Sequence, residues 1–136
     1  MTASLFVDCD DTLIMWLDEY DQPKEGQNPY GGGSQRWRVN EGVRAGVLKW
    51  RKQNPRGEIV IWSGGGVDYA RRWGWEVLPA TDHIAHFKDP RIPRRGDVVV
   101  DDAELKTLGT LLTPQQFIEV MRAPSAEGRG NEDTKR

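Results

Sequence analysis

The chain has 136 residues, of which 37% are hydrophobic, and it carries a formal net charge of -2. This length predicts one domain with a core of modest size, and the nearly balanced charge excludes a strongly basic field for gripping nucleic acid. The single cysteine, Cys9, excludes an internal disulfide. The N-terminus does not resemble a signal peptide, and no apolar stretch approaches the roughly 20 residues of a membrane span, so we expect a soluble cytoplasmic protein.

The first part of the chain predicts a strand, a flap and a helix. Residues 4–9, "SLFVDC", form an apolar run that is too short for a helix and is closed by acidic residues, which favours a buried strand. Residues 14–40 are aromatic and polar and are interrupted by prolines and glycines, which predicts a long loop with a short hairpin. Residues 41–53 have one apolar face and follow Asn40, which predicts a helix with Asn40 as its N-cap.

Strands and helices alternate in the rest of the chain. The predicted strands cover 58–62 and 97–100, and residues 83–87 form either a strand or a loop. The predicted helices cover 67–75, 101–108 and 112–122. The last helix is expected to have Thr113 as its N-cap and Pro114 at its first position. After Pro124 no apolar residue is larger than alanine, which predicts a disordered tail over 124–136. The alternation predicts an α/β fold with a mainly parallel sheet.

Polar residues follow three of these strands at the point where each strand ends. They are Asp8 and Asp10, then Ser63 and Gly64, and then Asp101 and Asp102. Ligands of parallel α/β sheets bind at this edge, so we expect the four carboxylates to converge there. Two unit charges about 4 Å apart repel by roughly 1 kcal/mol in water and by about 4 kcal/mol at an effective dielectric near 20, so a cation is required. Oxygen-rich sites suit Mg²⁺, which carboxylates, waters and a substrate phosphate hold together.

The neighbouring residues predict a phosphate-binding role. Ser63 stands where a glycine-rich turn opens a helix, and a hydroxyl beside free backbone N–H groups binds phosphate well. Lys88 follows the apolar stretch at 83–87 and can supply a positive charge to the same anion. The sequence therefore predicts a site for a cation together with a phosphorylated substrate.

The order of these residues resembles the haloacid dehalogenase (HAD) superfamily of phosphotransferases. The matching positions are Asp8, Asp10 and Thr12 in "DCDDTL", Ser63 at the end of "IVIWS", Lys88, and Asp101 with Asp102 in "VVVDD". Lys106 is the alternative lysine, but it follows the acidic pair instead of preceding it. The resemblance covers residues 4–108 and implies a three-layer, Rossmann-like catalytic domain over 1–123, with 14–40 as a flap and no large cap domain. The compact form and the use of arginine also resemble small proteins of this superfamily that bacteriophages encode.

The resemblance implies a covalent mechanism with a bound metal. Asp8 attacks the phosphorus and forms an aspartyl-phosphate, and Asp10 protonates the leaving oxygen and then activates water. Mg²⁺ is bound by Asp8, by the backbone carbonyl of Asp10 and by Asp101, and Asp102 assists. The charge between nucleophile and phosphate is thereby neutralised.

The resemblance also implies how the phosphate is held. Ser63, with Gly64, and Lys88 bind the phosphoryl oxygens, where the charge of the transition state is spread. Thr12 fixes the geometry of the loop beside the substrate. The resemblance assigns no role to Asp11, and we expect it to be a solvated residue of the loop.

The flap offers two interpretations. Its aromatic and basic side chains are Trp16, Tyr20, Tyr30, Arg36, Trp37 and Arg38. In the first, Arg36 and Arg38 contact the substrate while the aromatic rings stack on a base. In the second, Trp16 and Trp37 only pack the flap onto the domain. The arginines of "RIPRR", residues 91–95, are expected next to Lys88, where they either meet a polyanion or form a solvated loop.

Three functions stay open on the sequence. The first is a Mg²⁺-dependent phosphatase that acts on a nucleotide or another small phosphorylated metabolite. The second is a phosphatase with the same chemistry that acts on the 3′ or 5′ end of a nucleic acid. The third is a non-catalytic, phosphate-binding regulatory protein. A site without a cap is open, so it either admits large substrates or is covered by a partner in a homo-oligomer; no membrane partner is expected.

Overall fold

A parallel sheet of five strands lies at the centre of the fold, as the alternation of elements predicts. The computed structural model describes residues 2–18, 20–23 and 36–123. The elements are β1 (Ser4–Asp8), β2 (Ile14–Trp16), β3 (Trp37–Val39), α1 (Glu41–Gln53), β4 (Glu58–Ser63), α2 (Val67–Val77), β5 (Ile84–Phe87), β6 (Val98–Val100), β7 (Thr110–Leu112) and α3 (Pro114–Arg122). The sheet order is β5-β4-β1-β6-β7, and each neighbouring pair is parallel. This is a Rossmann-like α/β fold flanked by helices, without a large cap domain in the described residues.

Strand β1 occupies the middle of the sheet because its side chains are apolar on both faces. Leu5 and Val7 belong to the core on one face, Phe6 belongs to the core on the other, and all three are buried. β1 pairs with β4 on one side and with β6 on the other. A strand buried in this way needs a continuous apolar run. In β1 that run is Leu5 to Val7, and the acidic residue Asp8 comes only at the end of the strand.

The three helices of the described residues contribute to the core that contains Leu5 and Val7. Their buried residues there are Val43, Val47 and Trp50 of α1, Ala70, Trp73 and Val77 of α2, and Phe117, Ile118 and Met121 of α3. The apolar sides of the three helices therefore face one side of the sheet, and the apolar face predicted for residues 41–53 is among them. Within the described segments, no helix has both the length and the apolar character needed to cross a membrane.

The predicted helix N-termini are confirmed. The side chain of Asn40 accepts a hydrogen bond from the backbone N–H of Val43 at 3.3 Å. Thr113 and Gln116 form a capping box, in which each side chain accepts from the backbone N–H of the other residue, and Pro114 is the first residue of α3. These bonds satisfy backbone donors that the first helical turn leaves without partners.

Loops close the opposite face of the sheet. The buried side chains on that face are Phe6, Val60, Trp62 and Val99, and Leu105 packs against them. Pro93 is also buried and lies with Val99 beside Gly109. No helix of the described residues contributes to this second core. The connections 88–97 and 101–109 thus cover the face of the sheet that carries Phe6 and Val99.

The predicted helix over 101–108 is wrong. The segment is irregular from the end of β6 to the start of β7. The carboxylate of Asp101 accepts a hydrogen bond from the backbone N–H of Ala103 at 2.9 Å, and such a local bond competes with helical pairing. β7 follows as a strand of only three residues at the edge of the sheet, which the sequence did not predict.

The flap over 14–40 contains the predicted hairpin. β2 and β3 pair in the antiparallel sense, with Trp16 opposite Trp37. Residues 24–35 of the flap and the predicted tail over 124–136 lie outside the described residues.

Gly46 permits the close packing of α1 against α3. A Cβ atom at Gly46 would lie 2.6 Å from Cε2 of the buried Phe117 ring. We expect Gly46→Ala to lower the free energy of unfolding by about 1–3 kcal/mol, because overpacking a buried ring outweighs the roughly 0.5–1 kcal/mol gained in helix propensity. Urea unfolding followed by circular dichroism measures this change.

Gly42→Ala is the matched control in the same helix. A Cβ atom there would lie 2.7 Å from Cδ1 of Ile118, the end of a flexible side chain that can rotate away. We expect this variant to be less destabilised than Gly46→Ala. Equal stability of wild type and Gly46→Ala would contradict a tightly packed α1–α3 contact.

Candidate functional site

The carboxyl ends of four neighbouring strands form one edge of the sheet, and the predicted site residues lie along it. Asp8 and Ser63 are the last residues of β1 and β4, while Lys88 and Asp101 directly follow β5 and β6. The backbone N–H of Lys88 donates to the carbonyl of Ser63 at 3.0 Å, so the pairing of β4 with β5 extends to Lys88. The parallel sheet therefore brings together residues that are far apart in the chain.

Three carboxylates at this edge can hold a metal ion. Asp8, Asp101 and Asp102 each offer one oxygen, and these oxygens lie within 4.8 Å of one another. Asp8 and Asp101 are buried, whereas Asp102 is exposed. The hydroxyl of Thr12 lies 3.4 Å from Oδ2 of Asp8 and 3.5 Å from Oδ1 of Asp102, so it can donate to either carboxylate. A donor set made only of oxygens fits a hard divalent cation.

Lys88 is the lysine that reaches these acids. Its Nζ lies 2.8 Å from Oδ1 of Asp8 and 2.8 Å from Oδ2 of Asp101. Lys106, the alternative in the sequence, is exposed on the connection after β6. One ammonium thus contacts both of the buried carboxylates.

Burial and repulsion disfavour the ionised form of these acids. Burial and then the Asp101 carboxylate raise the pKa of Asp8 from 3.8 to about 8, although Lys88 acts in the opposite direction. Burial likewise raises the pKa of Asp101. Burial acts to lower the pKa of Lys88, but its attraction to Asp8 and Asp101 and its hydrogen bonds with them raise it above 10.5. A single ammonium does not compensate two buried carboxylates, and a bound cation would favour their ionised form.

The loop after β1 turns sharply around the carbonyl of Cys9. That oxygen lies 3.3, 2.9 and 3.1 Å from the backbone nitrogens of Thr12, Leu13 and Ile14. Asp11 has a φ of 60°, in the left-handed region that aspartate tolerates better than most residues. The Cys9 side chain points into the core, and burial, followed by the Asp8 carboxylate, raises the pKa of its thiol. Cys9 is therefore a buried thiol.

The turn after β4 lies at the same edge and is closed on Ser63, whose carbonyl accepts from the backbone N–H of Gly66 at 3.1 Å. The Ser63 hydroxyl is buried and accepts a hydrogen bond from the backbone N–H of Gly65 at 2.9 Å. Gly64 is exposed, and a Cβ atom there would meet nothing within 4 Å. Gly66 has a backbone φ of 104°, which residues with a side chain rarely adopt. Helix α2 begins directly after it. The glycines thus serve the turn into α2.

The carboxylate of Asp10 lies apart from the three metal-binding candidates. Its Oδ1 accepts a hydrogen bond from Nε1 of Trp16 at 2.8 Å and another from the hydroxyl of Tyr69 at 2.6 Å. The prediction of Asp10 as a metal ligand concerns its backbone carbonyl and stays a prediction. The sequence did not reveal these two partners, since Tyr69 lies 59 positions further along and no spacing pattern signals such a contact.

The flap aromatics Trp16 and Trp37 pack onto the domain. Both rings meet the buried ring of Trp73 edge to face, with centroids 5.8 and 4.7 Å away. Arg36 forms an ion pair with Asp21 inside the flap. Arg38 is exposed and, by strand alternation, lies on the face of the hairpin opposite to Trp37. The predicted roles of Arg36 and Arg38 in substrate binding remain predictions.

The expected basic cluster beside Lys88 does not form. Arg91 is held by Asp89, with Nη2 of the arginine 2.8 Å from Oδ2. Arg94 and Arg95 instead line a cavity of about 290 Å³ at the opposite edge of the sheet, where β1 and β6 begin. The connection from β5 to β6 crosses the sheet, so its second half cannot lie near the carboxyl edge.

Comparisons with known proteins do not assign this site. A scan against protein-family models found no matching family, and searches of curated proteins and of solved structures found no match.

We expect the metal-free protein to lose stability as the pH rises from 3.8 to about 8. The pKa of Asp8 is raised in the folded state, so in this range the folded protein holds a proton that the unfolded chain has released. The free energy of unfolding should fall by several kcal/mol, with about 6 kcal/mol as the upper limit, since the pKa rises by about four units and each unit corresponds to about 1.4 kcal/mol. Urea unfolding in the presence of EDTA measures this.

Asp8→Asn is the control, because an amide does not titrate in this range. Its stability should depend less steeply on pH than that of wild type. Millimolar Mg²⁺ should also reduce the loss, because a cation favours the ionised carboxylates. Identical slopes for wild type and Asp8→Asn would rule out the raised pKa of Asp8.

Proposed function

We propose that the chain is a Mg²⁺-dependent phosphatase of the HAD type that hydrolyses a phosphomonoester through an aspartyl-phosphate. The observation that carries this proposal is the contact of Lys88 with both Asp8 and Asp101, at 2.8 Å each, beside the exposed Asp102. Phosphoryl transfer requires a positioned nucleophile and positive charge around the transferred group. A nucleophilic carboxylate, a fixed ammonium and a set of oxygen ligands for a cation meet these requirements at one edge of the sheet.

Two steps make up the reaction. In the first, a carboxylate oxygen of Asp8 attacks the phosphorus, the bond from phosphorus to the ester oxygen breaks, and Asp10 gives its proton to the departing oxygen. In the second, water attacks the phosphorus of the aspartyl-phosphate and gives a proton to Asp10. The bond between phosphorus and Asp8 then breaks, which releases inorganic phosphate and restores both side chains.

The proposed cation is Mg²⁺. Asp8, Asp101 and Asp102 would hold it through side-chain oxygens, together with the backbone carbonyl of Asp10. When bound, it would favour ionised Asp8 and reduce the repulsion between this nucleophile and the phosphate. Lys88 and Ser63, with the N–H groups of the turn at Gly64, would bind the remaining phosphoryl oxygens.

The substrate of the proposal is a small phosphorylated metabolite in the cytoplasm, with a nucleotide as the first choice to test. In the described residues no cap domain covers the carboxyl edge, so a second copy of the chain could cover it in a homo-oligomer. If activity were found only on a phosphorylated nucleic-acid end, that end would be the substrate, and the proposed chemistry would stay the same.

The decisive experiment is a panel of phosphomonoesters assayed with Mg²⁺ for the wild type and for Asp8→Asn. We expect the wild type to hydrolyse at least one ester and Asp8→Asn to lose about 10³-fold or more in kcat, because the amide is a poor nucleophile. EDTA should abolish the activity and Mg²⁺ should restore it. Acid-stable labelling by a radioactive phosphate ester, absent from Asp8→Asn, would identify the intermediate.

Asp68→Asn serves as a matched control. Asp68 is an exposed residue of α2 that pairs with Arg71, so the same chemical change there should leave the activity as it is. If the wild type hydrolyses none of the esters but binds phosphate, the chain is a phosphate-binding protein and the enzymatic proposal is overturned.

Variants of the flap arginines test whether the substrate is a nucleotide. If Arg36 and Arg38 contact the base or sugar phosphate, replacing both by alanine should raise KM for a nucleoside monophosphate about 10-fold, as expected for losing one charged contact. The KM for a small aryl phosphate should not change. Arg94→Ala/Arg95→Ala removes the same charge at the opposite edge and is the control; equal KM values in the two double variants would contradict the contact.

A further inference from the structure

Two hydrogen-bond donors from separate parts of the chain meet on one oxygen of Asp10. Trp16 lies in the flap strand β2 and Tyr69 lies in the first turns of α2, and both donate to Oδ1 of Asp10, at 2.8 and 2.6 Å. We propose that Trp16 and Tyr69 are positioning residues that orient the acid/base carboxyl of Asp10. This inference rests on the proposed function of Asp10.

The two donors are held rigidly by one buried ring. Trp73 is 1% exposed, and the rings of Trp16 and Tyr69 meet it edge to face, with centroids 5.8 and 6.3 Å away. Trp16 is itself buried. Packing of this kind restricts the rotamers of both donors, so the direction of the Asp10 carboxyl is set before any substrate binds.

Donation to a single oxygen determines where the proton of Asp10 can reside. A carboxyl oxygen has two lone-pair sites, and the two bonds from Trp16 and Tyr69 fill those of Oδ1. The proton of the protonated form is therefore carried on Oδ2. Oδ2 is the atom that gives the proton to the departing ester oxygen in the first step and receives one from water in the second.

This arrangement gives the paired strands β2 and β3 of the flap a function other than covering a substrate. β2 carries a donor to the acid/base residue, and the neighbouring β3 contributes Trp37 to the same aromatic cluster. A change in the packing of the hairpin would turn Asp10 as well. The strands β2 and β3 thus link the packing on Trp73 to the proton-transfer step.

The test compares two substrates that differ in their need for a proton. An alkyl phosphate must be protonated as its alkoxide leaves, whereas the phenolate of p-nitrophenyl phosphate leaves without a proton. The variants are Trp16→Phe and Tyr69→Phe, which remove the donor and keep an aromatic ring. Trp37→Phe is the matched control, because Trp37 packs on the same Trp73 ring, whereas the described donors to the Asp10 carboxylate are Trp16 and Tyr69.

We expect each positioning variant to lose about 10-fold or more in kcat/KM on the alkyl phosphate and less than about twofold on p-nitrophenyl phosphate. Trp37→Phe should leave the ratio of the two kcat/KM values unchanged. Equal losses on both substrates would show a merely structural role, and no loss on either would show that the contacts do not matter; both results overturn the inference. A wild type that hydrolyses neither substrate overturns the proposed function and this inference with it.

A second readout does not depend on activity. In ¹H–¹⁵N spectra, the indole signal that Trp16→Phe removes identifies Trp16. We expect Asp10→Ala to shift that signal strongly and to speed the exchange of its proton with solvent, because the acceptor is lost. An unmoved signal would show that the bond between Trp16 and Asp10 does not form in solution, even if the phosphatase activity is present.

Discussion

The partial compensation of two buried carboxylates by one ammonium is the constraint on which the rest of the molecule depends. Asp8 and Asp101 lie on adjacent strands, and Lys88 comes from a third strand that pairs on the far side of β4. Charges removed from water are tolerated only when a partner replaces the solvent closely. The order of the strands is therefore what brings these three residues together.

The sheet tolerates such a site because the charges are confined to its end. Within β1 the side chains from Leu5 to Val7 are buried on both faces, and the one charged residue of the strand, Asp8, is its last. The buried apolar side chains of β1 stabilise the domain. The carboxylates at the carboxyl edge are partly removed from water as well, and this burial disfavours their ionised form. The raised pKa of Asp8 is the measure of that conflict, and a cation would reduce it by favouring the ionised carboxylate.

The sequence predicts those parts of the fold that depend on periodicity or on a local cap. β1, β4 and the helix after Asn40 follow from apolar patterns, and the structure contains them with nearly the same bounds. The segment after Asp101 was mispredicted as a helix because its carboxylate bonds locally to the backbone, which a hydropathy pattern does not show. The partners of Asp10 could not be predicted either, since they depend on how α2 packs against the flap around Trp73.

The close spacing of Asp8 and Asp10 becomes tolerable because the two carboxylates have different kinds of partner. Asp8 shares a lysine with another acid, whereas Asp10 is bound by two neutral donors, an indole N–H and a phenol. Cys9 between them turns into the core, so its neighbours on either side are directed elsewhere. A charged partner stabilises the ionised form of a carboxylate, while two donors on one oxygen fix the direction in which a carboxyl group points. This difference in partners is the physical basis for the different roles that we propose for the two acids.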